Sequence, residues 1–491
     1  MPLWTAFLLG FWGTPTPVVD PTPRTTPVSA PAKVRRVRRI GRTLAPGIEL
    51  VQELTPADMP GGPLAVTVLR IDPKVPGVRL EAALGQDTVW TNDETKGREL
   101  VSKLARRRQA VAAINAGFFP YAGNPIGLHV ENGDLVTEPT LRRSSFLIDD
   151  QGQARIGAFQ FDGAAMVGDQ TFVLNGLNRQ PGKGKEVLAY TPRFGDSTLA
   201  AQGRWEIVLE GIPTPLRPGL VRGTVRAAGS GGATPIPADC MVLSAGGAAA
   251  EALRTAAPVG KVVTLRLDVA AAGEPRIDPA RIVHAVTGAP RIVTAGKPDV
   301  RLEAERVAVD IANGRSPRTA AGIAKDGTIL LVVVDGRMPS VSRGATLAEL
   351  ADLLIALGAD EAINLDGGGS STMVVDGVVV NAPSDGTERP VADALLVFGD
   401  RETESPDDAL IMNAPNRPLK VGEEWRFELP EGVRRDDAVW GFNAGPGFVD
   451  QGGLFRALRP GKSTIRLRVG RRTATCTVDV VAAAPSATVK R

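Results

Sequence analysis

Two cysteines, two histidines and two tyrosines are all that 491 residues contain of those three side chains. Cys240 and Cys476 form no C-x-x-C pair and stand near no histidine at metal-ligand spacing. That argues against a zinc site and leaves the thiols as small buried hydrophobes. No G-x-S-x-G elbow, Walker loop or H-E-x-x-H helix occurs, so serine-hydrolase, nucleotide-triphosphatase and zincin readings lose their usual support. Charge of one sign is lacking as well. The 57 basic and 54 acidic side chains leave a net charge of +3, too even for a dedicated binder of nucleic acid or membrane surface. No repeat of 20–50 residues runs through the chain, which sets solenoids and propellers aside.

What is present describes a folded, turn-rich protein. Hydrophobic residues make up 43% and charged residues 23%, far from the balance of a disordered chain. The 55 glycines and 39 prolines imply many turns between short strands. Because single cores stop growing at roughly 250–300 residues, two or more compact units are expected. The expected class is α+β: a large mixed α/β catalytic domain with central β-sheets, plus a small all-β, sandwich-like C-terminal domain.

The N-terminus opens with the apolar run Leu3–Trp12, of signal-peptide length and too short for a spanning helix, which needs about 20 apolar residues. It lacks a basic n-region and a clean small-x-small cleavage site. Export to the cell envelope or beyond is the expectation, and an apolar tail is the alternative. A Pro/Thr-rich spacer with Pro15, Pro17, Pro21, Pro23, Pro27 and Pro31 follows, then the basic cluster Lys33, Arg35, Arg36, Arg38 and Arg39. The leader and linker are assigned to 1–45, and ordered structure is expected from about Pro46.

Further along, Leu64–Ile71 is predicted as a strand, Lys96–Arg108 as a helix and Ala110–Ile114 as a buried strand. Thr328–Val334 reads as a strand buried on both faces. A helix then starts at the capping box Thr346/Glu349 and stops at Gly358, before the strand Ala362–Leu365. Asp376-Gly377 predicts a type I′ hairpin. The polar run from Asp400 marks a linker, 401–416. Alternating residues over 417–485 resemble an immunoglobulin-like β module, a possible cell-wall contact.

The chemistry concentrates after the Ala362–Leu365 strand, in Asn364-Leu365-Asp366-Gly367-Gly368-Gly369-Ser370-Ser371-Thr372. Three glycines let the backbone turn tightly and present its amides, which is how an anion nest is built, with a plain glycine turn as the alternative. Asp366 stands at a strand's C-terminal end, with Ser370 and Ser371 adding hydroxyls. A second strand end carries Asp335-Gly336-Arg337. Arg318-Thr319 and Arg389 supply further groups, and planar guanidinium forks suit phosphate oxygens. Asn115, at the end of a buried strand, is a candidate to bind a sugar hydroxyl or to orient a catalytic carboxylate, with an Asx turn as the alternative. Phe118 and Phe119 could face a sugar ring or fill the core, and His129 is a proton carrier or a structural histidine.

These blocks, taken in order, resemble the phosphodiester glycosidases. They are Asn115-Ala-Gly-Phe-Phe119, Arg318-Thr319-Ala320 with Gly322-Ile323, Asp335-Gly336-Arg337, and Asn364–Met373 followed by Asn381 and Arg389-Pro390-Val391. The resemblance runs from about Ala65 to Phe398, loosely between Phe146 and Val286, so the phosphodiester glycosidase domain is set at 46–400. It implies hydrolysis of a sugar-1-phosphodiester on an extracellular or cell-envelope glycan; the family's animal member removes N-acetylglucosamine. The expected site has Asp366 and Asp335 as base or nucleophile. Asn115, Arg318, Thr319, Arg337, Asn364, Gly367, Gly368, Gly369, Ser370, Ser371 and Arg389 would bind substrate. Two rivals remain: a non-catalytic glycan-phosphate binder, and a phosphodiesterase that cleaves P–O with a divalent metal on Asp335 and Asp366. No cofactor is otherwise implied, and neither nucleic acid nor an integral membrane span.

Overall fold

A computed structural model describes residues 36–483, apart from 141, 183, 200–202, 273–276, 401–409, 444 and 471. The apolar leader, the Pro/Thr spacer and most of the linker expected at 401–416 lie outside the described residues. Among those described, no helix is long and apolar enough to cross a membrane.

The chain is mostly β, which corrects the expected mixed α/β class: strands hold 46% of it and helices 10%. The α-helices among the described residues have 7, 9, 5 and 10 residues, too few and too short to layer a sheet on both faces. The reason is local. Glycine and proline break the apolar runs into strand-length pieces, and neighbouring pieces pair antiparallel.

An eight-stranded sheet contains the run Ile48–Thr55, Leu64–Ile71, Ile329–Val334, Arg318–Ala324, Ala359–Asn364, Arg291–Thr294. Ile329–Val334 and Ala359–Asn364 are joined by the helix Leu347–Ala356, as expected, but they are not neighbours. Arg318–Ala324 lies between them, antiparallel to both, so the strand–helix–strand unit is split rather than a simple parallel crossover. The helix has its capping box: Thr346 Oγ1 accepts from Glu349 N at 3.2 Å, and Glu349 Oε2 accepts from Thr346 N at 2.9 Å. Leu347, Leu350 and Leu354 bury on the sheet.

The central region, irregular in sequence, closes into a seven-stranded barrel. Its order is Gln170–Leu177, Val187–Tyr190, Cys240–Gly246, Arg204–Glu210, Gly219–Ser230, Val262–Ala271, Ala154–Val167, with the last strand pairing back to the first. Closure removes the free edges. Leu209, Leu243, Leu265 and Leu267 fill the inside.

A five-stranded sheet holds the hairpin Met373–Val375/Val378–Val379, then Ala112–Asn115, Asp393–Phe398 and Arg79–Leu84. Asp376 and Gly377 have φ of 54° and 72°, both left-handed, as a type I′ turn requires. The helix expected over Lys96–Arg108 is only Val101–Arg107, because Lys96 and Gly97 take positive φ and hold the preceding loop. Order begins earlier than expected: Arg38–Ala45 already pairs with Ile48–Thr55. Residues 417–481 form a four-stranded and a three-stranded sheet around Trp440, Phe442, Phe448 and Phe455. That core also contains Ala65, Val341 and Ala382.

Candidate active site

The eight-stranded and five-stranded sheets meet at Asn115, which is fully buried at the end of its strand. Its Nδ2 donates to the Asp366 carbonyl at 2.7 Å. Its Oδ1 accepts from Thr319 Oγ1 at 2.9 Å and from Thr372 N at 3.0 Å. A single amide thus ties three strand ends together. Asn115 and Thr319 spend their polar atoms on one another and on the turn, so both are positioning residues: for Asn115 this is the orienting role rather than the sugar contact, and Thr319 is not the substrate contact expected. Ser371 is equally buried, with its Oγ 3.2 Å from Thr319 Oγ1.

Asp366 N donates to the Ala116 carbonyl at 2.9 Å, which sets the direction of the aspartate. Burial pushes its carboxyl up to about 6; the Ser370 hydroxyl, the charge of Arg389 and the Gly367 amide pull it down, while Asp393 pushes it further up. It is therefore mostly ionised at neutral pH and close to the pKa that general-base work favours.

The nest of three presented amides is not built, which corrects the expectation for Gly367–Gly369. Gly368 N donates to the Pro317 carbonyl at 2.9 Å, and Ser370 N and Ser371 N turn back to Gly367 O and Gly368 O, each at 3.3 Å. The glycines serve close approach instead. A Cβ on Gly367 would lie 2.7 Å from Pro317 O, one on Gly369 would overlap Arg389 and Asp385, and Gly368 has φ +63°.

Positive charge comes from side chains. Arg389 donates to Ser370 Oγ at 3.4 Å and grips Asp385 Oδ2 through Nε and Nη2 at 3.0 and 2.5 Å. Arg337, held at φ +60°, donates to Ser384 Oγ at 3.1 Å, and its Nη1 lies 3.9 Å from Asp385 Oδ1. Asp385 thus sits between two half-exposed guanidinium groups, above the glycine turn.

Arg318 does not join them. Its guanidinium donates to the carbonyls of Ala345, Ile311 and Gly314 at 2.9, 2.7 and 2.7 Å, and burial lowers it to about 10. Asp335 also stands apart. It is 1% exposed, and its Oδ1 accepts from Asn381 Nδ2 and Ala382 N at 3.0 and 2.9 Å. Its Oδ2 has no partner, and burial pushes the carboxyl up to about 7. Asn364 donates to the Ala289 carbonyl at 2.7 Å, leaving Oδ1 unpartnered. Phe118 is half-buried beneath the Arg143 guanidinium, 5.6 Å away, and Phe119 packs on the core. Among the described residues no three His, Cys, Asp or Glu side chains converge as metal ligands.

Sequence reasoning missed Asp385 and Asp393. Asp393 is buried, accepts from Gly117 N at 2.7 Å through Oδ1, and lies 3.0 Å from His129 Nδ1 through Oδ2. It joins His129, itself fully buried, to the Asp366 neighbourhood. The one local signal was a carboxylate opening the otherwise apolar strand Asp393–Phe398.

The stretch carrying both arginines, Asp366 and Asp393 coincides with a known family. Residues 220–398 match the phosphodiester glycosidases. The phosphodiester glycosidase match includes Asp335, Asp366, Asp385, Arg389 and Asp393, while Asn115 and His129 precede it. Sequence relatives include the N-acetylglucosamine-1-phosphodiester alpha-N-acetylglucosaminidase of Bos taurus, 44% identical over 70 residues, 14% of this chain and 13% of that one. A prophage-derived protein of Bacillus subtilis is 42% identical over 94 residues, 19% of this chain and 14% of that one. The chain thus matches only a small part of these curated relatives' own length. Among solved structures, a Synechocystis protein has a TM-score of 0.61 at 24% identity, covering 75% of this chain and 64% of that one, a likeness of fold. A Burkholderia pseudomallei protein has a TM-score of 0.56 at 28% identity, covering 68% and 74%.

Proposed function

We propose that this protein is an exported hydrolase that cleaves a sugar-1-phosphodiester at the bond between the anomeric carbon and the phosphate oxygen. The observation that carries the reading is one cluster: Asp366, raised to about 6, beside Arg389 and within a turn overhung by Arg337, inside the family-matched stretch. The water oxygen ends on the sugar, and the departing phosphate keeps its bridging oxygen and becomes a phosphomonoester.

Asp366 is the base or nucleophile at the anomeric carbon, and Arg337 and Arg389 stabilise the negative charge gathering on the phosphate. Phosphate leaves readily, so strong acid assistance is less needed than for an ordinary glycoside. Asn115, Thr319 and the Asp393–His129 pair hold the turn in place. The N-terminal apolar run and Pro/Thr spacer support work outside the cytoplasm on an envelope glycan, and the C-terminal β module is read as an immunoglobulin-like wall contact.

The test is turnover of a panel of sugar-1-phosphodiesters in 18O-water by the full chain. The reading expects label in the free sugar; label in the phosphate, or no turnover of any member, would refute it.

A further inference from the structure

A second site lies away from the carboxylate cluster. A cavity of ≈ 920 Å³ is walled by Asn124–Gly127, Thr137–Thr140, Gln160–Phe161 and Val173–Asn175, and is overhung by Arg142, Arg179 and Arg306. No member of the Asp366 cluster lines it. The two places are joined by one segment: Ile126 N, in the cavity wall, donates to the Phe118 carbonyl at 2.8 Å, three residues after Asn115.

The lining is charged in an uneven way. Arg179 is paired with acidic groups: Glu138, 8% exposed and pushed up to about 7 by burial, accepts from Arg179 Nε at 3.0 Å and from Leu177 N at 2.8 Å, and Glu186 Oε1 lies 3.8 Å from Arg179 Nη1. Arg142 and Arg306 have no such partner. Among the described residues neither guanidinium makes a hydrogen bond or an ion pair, and both residues hold φ +53° at the cavity's rim. The site therefore carries two unspent positive charges over a wall that mixes apolar and amide groups. Val173, 68% exposed, and Phe161 offer flat apolar surface; Asn124, Gln160 and Asn175 offer amides. Apolar surface for a ring face, amides for hydroxyls and guanidinium forks for an anion are the features a charged sugar needs. The volume falls in the range of ~300–1,000 Å³ that small-ligand sites occupy.

We propose that this cavity binds an anionic saccharide unit, one bearing phosphate or carboxylate, through Arg142 and Arg306. Most of its walls precede residue 220, outside the family-matched stretch, while Arg306 lies within it. As a recognition site for the neighbouring unit of a phosphodiester-linked glycan it rests on the proposed cleavage activity; as a binding site for a separate charged glycan it does not.

The test uses the full chain and two probes, a disaccharide of N-acetylglucosamine carrying one 6-phosphate and its unphosphorylated counterpart, titrated by calorimetry. The expectation is at least tenfold tighter binding of the phosphorylated form. The exposed pair Arg142→Ala/Arg306→Ala should erase that difference, and Arg337→Ala/Arg389→Ala should retain it. A phosphorylated probe that binds no better than the neutral one, or a difference that follows Arg337 and Arg389 instead, overturns the proposal. Turnover then separates the two sources. If the pocket holds the next unit of the substrate, the Arg142/Arg306 variant raises KM for a phosphodiester-linked tetramer and leaves KM for a monomeric diester unchanged. If it holds a separate glycan, both KM values stay put while the phosphodisaccharide is still lost. Wild-type chain that cleaves no diester, yet loses probe affinity in the variant, refutes the cleavage reading and supports the pocket.

Discussion

Asp385→Asn should make the protein bind its own product too well. The proposed substrate is a phosphodiester with one negative charge, whereas the phosphomonoester that leaves carries nearly two at neutral pH. Arg337 and Arg389 contribute +2 and Asp385 and Asp366 contribute −2, so the phosphate position is neutral as built. Removing one carboxylate charge leaves +1, which favours the dianion over the monoanion by one extra charge–charge attraction. Asp385 and both arginines are a third to a half exposed, so water screens them. One added pair at about 4–5 Å in a water-like dielectric is worth ~1 kcal/mol, or roughly fivefold. The assay is initial-rate hydrolysis of a sugar-1-phosphodiester at rising concentrations of the phosphomonoester. The ratio of product Ki to substrate KM should fall about fivefold, and the effect should shrink in ~1 M salt, where the Debye length is near 3 Å. Any loosening of Arg389 affects both ligands and cancels in the ratio. An unchanged or increased ratio would refute the charge argument.

Asp366→Asn should lower kcat by roughly 10³-fold or more with the melting temperature little changed, measured on the same diester. Because the working form is the ionised one and burial sets its carboxyl at about 6, wild-type kcat/KM should decline as pH falls below about 6. A profile flat to pH 4.5 removes Asp366 as base or nucleophile. Asp335 predicts a stability effect of defined sign. Its folded pKa of about 7 lies above the unfolded value near 4, so its contribution to stability is lost as pH rises through this window. Asp335→Asn keeps the two accepted hydrogen bonds and removes the charge, so denaturant unfolding should show it ~4 kcal/mol more stable than wild type at pH 8, with the gap closing by pH 4. Asn115→Ala strips three hydrogen bonds from a buried junction and should cost ~3 kcal/mol in the same assay.

Features set by neighbours in sequence were legible without coordinates. The Thr346/Glu349 cap, the Asp376-Gly377 hairpin and the turn after the Asp366 strand each depend on a few adjacent residues. Long-range pairing was not. Nothing in the alternation of Ala154–Val167 or Val262–Ala271 says that they pair with each other and close a ring, and the α/β expectation failed there. The candidate cations illustrate the same limit. Arg318, Arg337 and Arg389 look alike in the sequence, yet the first is spent on the carbonyls of Ile311, Gly314 and Ala345, which come from two separate segments of the chain. Which amides of a glycine run are free was decided by the Pro317 carbonyl, which the run itself does not contain. Asp385 was overlooked because its meaning comes from the two arginines around it.

The docking of the C-terminal sheets has a practical consequence. The strand Ala438–Phe442 lies so close to the 378–379 hairpin that a Cβ on Gly441 would meet the Val379 carbonyl at 2.6 Å, and Gln451 N donates to Gln52 Oε1 at 2.8 Å. Ala382, buried in the same core, leads into the loop with Asp385 and Arg389. Trimming the gene at residue 400 to express a minimal enzyme would unroof that loop, and a dead truncation would say nothing about the chemistry of the intact chain.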